Sequence, residues 1–234
     1  MNIKDAKVLV TGGSSGIGYE TARHLIELGA KVVICGRNKE KLTKAASEMG
    51  AHAVVADVSD EDDVKRLVST TIKQLDGLNV LINNAAYGHF GMLVDIDTKK
   101  FNELLATNVT GAMMVGRECA RHFISKDYGN IVNISSSAGR GGFAGGSAYV
   151  ATKFALAGMT ECWRAELRKS NIRVMLVNPS EVQTNFLPNS GRETRPHNES
   201  KLEAQDIAHT IVSMLQMHDR GFITEASVWA TNPK

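Results

Sequence analysis

Val8-Leu9-Val10-Thr11-Gly12-Gly13-Ser14-Ser15-Gly16-Ile17-Gly18, followed at once by Tyr19 to Leu28, is the stretch on which the reading of this chain turns. Val8 to Thr11, all apolar or β-branched, read as a short buried strand, and Gly12 to Gly18 hold four glycines in seven residues. Ala22, Leu25, Ile26 and Leu28 then fall on one helical face. Strand, glycine turn and helix together open a nucleotide-binding βαβ unit. A side chain in the turn would hold the backbone away from a phosphate, and tight turns need positive φ, so glycine is required there. The N–H groups and the positive dipole end of the helix attract the phosphate charge. The spacing Gly12-x-x-x-Gly16-x-Gly18 departs from the common G-x-G-x-x-G dinucleotide fingerprint. Gly13 to Gly18 has P-loop glycine spacing, but Tyr19-Glu20 stands where that loop needs Lys and then Ser or Thr, so an NTPase is excluded. The plain alternative for the motif alone is a glycine-rich turn with no ligand, and the rest of the chain decides against it.

Composition bounds the class. With 234 residues, 43% hydrophobic and 22% charged, the chain has the make-up of an ordinary globular protein with a full core. A net charge of +2 and no long Lys/Arg run give no bias toward nucleic acid. No apolar run reaches membrane-span length and Met1-Asn2-Ile3-Lys4-Asp5 lacks a signal peptide's apolar region, so no membrane association and a cytoplasmic location are expected. Cys35, Cys119 and Cys162 are widely separated with no Cys-x-x-Cys, which argues against disulfides and zinc and fits a reducing compartment. The histidines are scattered and no metal site is expected.

The remaining elements alternate. Strands are expected at Lys31–Cys35, Ala53–Ala56, Val80–Asn83, Asn130–Ser135, Arg173–Asn178 and within Phe222–Ala230. Helices are expected at Lys39–Met49, from an Asp60 cap to about Leu75, once or twice within Asp97–Lys126, from about Ala148 to Ser170, and at Glu203–Met217. This pattern predicts one α/β domain over residues 1–234: a doubly wound, mainly parallel sheet of about seven strands with helices on both faces. Pro179 to about Ser200 is the long irregular stretch, of the kind that serves a site. In such sheets ligands sit beyond the carboxyl ends of the strands. There the chain places Gly12 to Gly18, Gly36-Arg37, Asp57-Val58, Asn84-Ala85-Ala86, Ser135-Ser136-Ser137 and Pro179 to Thr184, the lining of a single cleft.

The residue ending the second strand selects the dinucleotide: an acid there accepts from the ribose 2′-OH of NAD, and an Arg nearby accommodates a 2′-phosphate. Here Gly36 takes the acidic position and Arg37 follows, with Ser14 available as a hydroxyl donor. A guanidinium fork matches phosphate geometry, so NADP(H) is the expected cofactor.

Tyr149 and Lys153 lie four apart on one helical face. Alone such a pair is a surface pair; its company is Ser136 at the end of the fifth strand and the glycine-rich run between them. Thr11-Gly-x-x-x-Gly-x-Gly18, Asn83-Asn-Ala-Ala86, Asn108, Ser136, Tyr149-x-x-x-Lys153 and Pro179-x-x-Val-x-Thr184 stand in the order and spacing of the short-chain dehydrogenase/reductase family, which the chain resembles over essentially its whole length. The resemblance implies a Rossmann fold and catalysis by Asn108, Ser136, Tyr149 and Lys153. Tyr149 would be the general acid in carbonyl reduction, with Lys153 lowering its pKa from about 10 and binding the nicotinamide ribose. Ser136 would donate to the substrate oxygen, and Asn108 would hold a water behind Lys153. Gly12, Ser14, Ser15, Gly16, Ile17, Gly18 and Arg37 would hold the phosphates, Asp57 and Val58 the adenine, and Asn84, Ala85, Pro179, Val182 and Thr184 the nicotinamide side. Ala86 and Ser180 depart from the family's usual glycines.

By the same resemblance a substrate loop at about 185–202, with Phe186, Leu187, Pro188, Arg192 and Arg195, covers a small-molecule carbonyl substrate. A ketone, aldehyde or diketone reductase is expected. The alternative is a 3-oxoacyl-(acyl-carrier-protein) reductase taking an acyl thioester, with Lys126 and Lys169 near the carrier-docking positions. A non-catalytic NADP(H)-binding sensor would not need the four catalytic residues together, and Gly145-Gly-Ser147-Ala-Tyr149 breaks the hydrolase G-x-S-x-G pattern. A homotetramer or homodimer, packed through the Phe101–Lys126 and Tyr149–Ser170 helices, is also implied.

Overall fold

The computed structural model describes residues 1–186, 190 and 196–232. Leu187, Pro188, Arg192 and Arg195 of the expected substrate loop lie outside the described residues.

Strand β1 (Lys7–Thr11) leads through the glycine turn into α1 (Gly16–Glu27), then β2 (Lys31–Gly36), α2 (Lys39–Met49), β3 (His52–Val55), α3 (Glu61–Leu75) and β4 (Val80–Asn83). The second half runs through α4 (Thr98–Leu105), α5 (Ala112–Lys126), β5 (Gly129–Ile134), α6 (Ser147–Leu167), β6 (Ile172–Pro179), β7 (Val182–Gln183), β8 (Leu202–Glu203), α7 (Ala204–Gln216) and β9 (Glu225–Val228). Seven strands form one sheet in the order β3-β2-β1-β4-β5-β6-β9, and each neighbouring pair is parallel. Val8, for example, stands between Val32 and Val80. This is the expected doubly wound Rossmann sheet, and strand order reverses between β1 and β4.

Both faces of the sheet are covered, because alternate residues of each strand point to opposite sides. Val8 and Val10 pack with Ala22 and Leu25 of α1, Leu42 of α2 and Ile207 and Ile211 of α7. Leu9 and Leu81 face the other way, toward Leu67 of α3 and Val115 and Phe123 of α5. Short polar side chains start the helices where the chain leaves a turn. Asn38, Asp60 and Asp97 each accept a backbone N–H at the start of α2, α3 and α4, and Gly50 closes α2 in the left-handed conformation.

Three departures from the sequence reading matter for the site. Helix α1 starts at Gly16 rather than Tyr19, so its N-terminus opens inside the glycine turn. The Asp97–Lys126 region is two helices joined by a π-helical turn at Ala106–Gly111 that contains Asn108. The stretch after Pro179 is not wholly irregular: Val182–Gln183 pairs in parallel with Leu202–Glu203.

Candidate active site

The carboxyl ends of β1, β4, β5 and β6 frame a cleft of about 500 Å³, within the range of ligand pockets. Its floor is the glycine turn. Gly12 and Gly16 have φ of +66° and +57°, a region L side chains avoid. A Cβ on Gly18 would lie 2.4 Å from the Gly12 carbonyl oxygen, so Gly18 keeps helix and turn in close contact. Ser15 stands at the N-cap of α1 without capping it, and no acidic residue occupies the first turn. The helix therefore presents uncapped N–H donors and its positive dipole end to the cleft, lined here by Ser15, Gly16 and Ile17. That is a fit for a phosphate.

The turn is fastened by β4. The Thr11 hydroxyl accepts from the backbone N–H groups of Asn84 and Ala85, each at 2.9 Å. The Asn84 amide donates back to the carbonyls of Thr11 (2.9 Å) and Gly12 (3.2 Å). Asn84 and Ala85 line the cleft as expected, but the Asn84 amide is spent on holding the turn.

At the end of β2, a Cβ on Gly36 would meet the Ser14 hydroxyl and Leu42 only at 3.6 Å, so an acid is missing there by sequence and not for want of room. Arg37 is largely exposed and pairs loosely, at 3.8 Å, with Asp57. Asp57 also accepts from the Ser59 N–H and hydroxyl. Arg37, Asp57 and Val58 lie outside the enclosed cleft, beyond its β2–β3 edge, while Ser14 lines it.

The reacting groups meet at the β5 end. Tyr149 and Lys153, on the first turns of α6, are buried and line the cleft with Ser136. Ser136 shares a hydrogen bond with the Tyr149 phenol and accepts from the Ala138 N–H at 3.1 Å. Burial pushes the phenol up to about 12, against the pull of the Ser136 bond. Burial likewise brings the Lys153 ammonium down to about 8. Burial, not the expected lowering by Lys153, sets the net direction: the Lys153 Nζ donates to the Ile134 carbonyl at 2.9 Å and stands 5.7 Å from the ring centroid. Desolvation then outweighs a charge directed elsewhere.

Asn108 is buried outside the cleft lining. Its side chain accepts from the Tyr87 N–H (3.1 Å) and donates to the Tyr87 carbonyl (2.8 Å) and the Thr152 hydroxyl (3.2 Å). It thus clamps the segment after β4 to the first turns of α6. Pro179, Val182, Thr184 and Phe186 line the β6 side as expected.

Sequence reasoning missed Phe90 and Phe143, which also line the cleft. Their signal was a phenylalanine set between glycines, in Gly88-His89-Phe90-Gly91 and Gly142-Phe143-Ala144-Gly145. Glu181, within the Pro179–Thr184 lining, pairs with Lys201 at 3.2 Å.

A glycine cradle at a helix N-terminus and a buried Ser–Tyr–Lys group in one cleft of a doubly wound sheet define a nucleotide-dependent oxidoreductase. The family model described as short chain dehydrogenase matches residues 6–195, and the chain belongs to that family, whose members bind nicotinamide cofactors. It is 36% identical over 192 residues to the uncharacterized oxidoreductase YxnA of Bacillus subtilis, covering 79% of this chain and 54%, about half, of that relative. A metagenomic short-chain oxidoreductase solved in complex with NADP is 31% identical with a TM-score of 0.84, covering 98% of this chain and all of the other. Levodione reductase is 25% identical with a TM-score of 0.87, over 96% and 97% of the two chains.

Proposed function

We propose that this chain is an NADP(H)-dependent reductase that interconverts a ketone, aldehyde or diketone and its alcohol. The observation that carries the reading is the buried Tyr149 phenol, bonded to Ser136 and backed by Lys153, in the cleft that opens on the α1 N-terminus. When bound, the nicotinamide supplies hydride chemistry at a carbonyl carbon. Ser136 donates to the substrate oxygen, and Tyr149 delivers its proton to that oxygen as charge develops. The Lys153 ammonium stabilises the phenolate left behind. Arg37 and Ser14 would hold the 2′-phosphate of NADP(H), and Asp57 and Val58 would lie on its adenine side. The NADP complex of the metagenomic relative and the diketone named in levodione reductase support the cofactor and substrate class.

The 3-oxoacyl reading ranks second. Lys126 and Lys169 are exposed at the ends of α5 and α6, just before β5 and β6, whereas Ser136 stands past the far end of β5. A carrier docked at those lysines would stand at the opposite end of β5 from Ser136.

Tyr149→Phe tests the proposal. It removes the proton donor, so NADPH-dependent reduction should fall by about 10²–10⁴-fold while NADPH affinity, read by fluorescence titration, stays within a factor of two to three. A variant that reduces carbonyls at the parental rate would refute the reading.

A further inference from the structure

The substrate side of the cleft is built from phenyl rings. Tyr149 stands between two of them, with centroids 5.5 Å from Phe90 and 5.4 Å from Phe186, and Phe143 extends the row 6.2 Å beyond Phe90. The three phenylalanines come from three separate loops, and those loops are tied together. The Gly91 N–H donates to the Gly145 carbonyl at 3.0 Å, joining the Phe90 and Phe143 loops. The Ser190 hydroxyl accepts from the Gly88 N–H at 3.1 Å and donates to the Phe186 carbonyl at 2.6 Å, joining the Phe90 and Phe186 loops. Glycine makes the packing possible. A Cβ on Gly88 would lie 2.6 Å from the Phe90 ring, and one on Gly146 would lie 2.7 Å from the Phe143 ring.

Charge is placed just as selectively. Among the described residues lining this cleft the charged side chains are Lys153 and Glu181. Lys153 is directed at the Ile134 carbonyl beneath the phenol, and Glu181 is paired with Lys201. Among the described lining residues Lys153 is the one cation and its ammonium is already engaged, so an anionic substrate would lose hydration without gaining a partner from them.

Resting on the reductase reading above, we infer that the Phe90–Tyr149–Phe186 row with Phe143 selects an uncharged carbonyl compound carrying a flat ring next to its carbonyl. Ring-on-ring contacts in offset or edge geometry hold such a substrate, and the carbonyl oxygen then reaches Ser136 and Tyr149. The reaction balances as reduction of the carbonyl to the alcohol, with hydride from NADPH to carbon, the Tyr149 proton to oxygen, and NADP⁺ as the second product.

The test compares acetophenone and 1-indanone with 2-butanone, pyruvate and benzoylformate, using the full chain with NADPH. Binding of the same compounds in the presence of NADP⁺ is read in parallel by saturation-transfer NMR. Ring ketones should exceed 2-butanone in kcat/KM by at least tenfold, and benzoylformate, which differs from a ring ketone by its carboxylate, should fall below acetophenone. Phe143→Ala should lower the ratio of ring ketone to 2-butanone by about three- to tenfold, and Phe143→Tyr should restore it. Pyruvate or 2-butanone matching the ring ketones in turnover and in binding, or a ratio unmoved by Phe143→Ala, would overturn the inference. Ring ketones that bind selectively while no carbonyl is turned over would support the ring site and overturn the reductase reading instead.

Discussion

Tyr149 and Lys153 share one environment that acts on them in opposite directions. Burial raises the phenol to about 12 and lowers the ammonium to about 8. Through neutral pH the phenol thus keeps the proton that reduction needs, and the ammonium keeps its charge. As pH rises through about 8 the ammonium is lost first, and with it the stabilisation of the phenolate. The kcat/KM for carbonyl reduction, which reports the free enzyme's groups, should therefore decline from about pH 8 upward; a flat profile from pH 7 to 10 would contradict the role given to Lys153. Arg37 makes a second prediction at this scale. Its charge-assisted bonds to a 2′-phosphate are worth enough that Arg37→Asp should shift the NADPH-to-NADH ratio of kcat/KM by at least about tenfold toward NADH. An unchanged ratio would remove Arg37 from the cofactor site. At the same scale helix spacing put Tyr149 and Lys153 on one face and the family resemblance added Ser136; the structure brings all three to one cleft. The sequence could not give the direction of the Lys153 bond, which depends on where the Ile134 carbonyl comes to rest.

Among the elements, α1 and its turn bear most directly on function. The start of α1 at Gly16 was missed because the glycines read as turn, and a helix can begin within them when tertiary contact supports it. That contact is the approach of Gly18 to the Gly12 carbonyl. Gly18→Ala cannot be accommodated by a side-chain shift, since the opposing atom is backbone. It should cost about 1–3 kcal/mol in urea denaturation and weaken NADPH binding more than tenfold, because the helix N-terminus is displaced from the phosphate. Retention of both parental values would show that α1 does not depend on this contact. The cap at Asp60 was legible, since short polar side chains bond the backbone locally. The π-helical turn around Asn108 was not, because it arises where α4 and α5 are packed against α6 and the Tyr87 segment.

At the level of the whole molecule, the alternation of short apolar runs with longer amphipathic ones was enough to specify a parallel sheet covered on both faces. The Phe90 and Phe143 loops were beyond it, since neither lies in a periodic element and their meeting depends on bonds across more than fifty residues. Assembly can be tested from the surface. Phe154 on α6 and Ile124 on α5 are each about half exposed, at 47% and 50%, on the two helices through which we propose a homodimer or homotetramer packs. Phe154→Glu should convert the parental oligomer to smaller species in sedimentation velocity; a parental chain that sediments as a monomer would remove the proposal.

The small ladder of Val182–Gln183 with Leu202–Glu203 brings the two ends of the intervening segment side by side. With those anchors held in register, the cost of closing a chain between them varies only slowly with its number of residues. Exchanging residues 185–201 between those anchors for another family member's, with Thr184 kept, should change which compound is accepted more than it changes dinucleotide affinity.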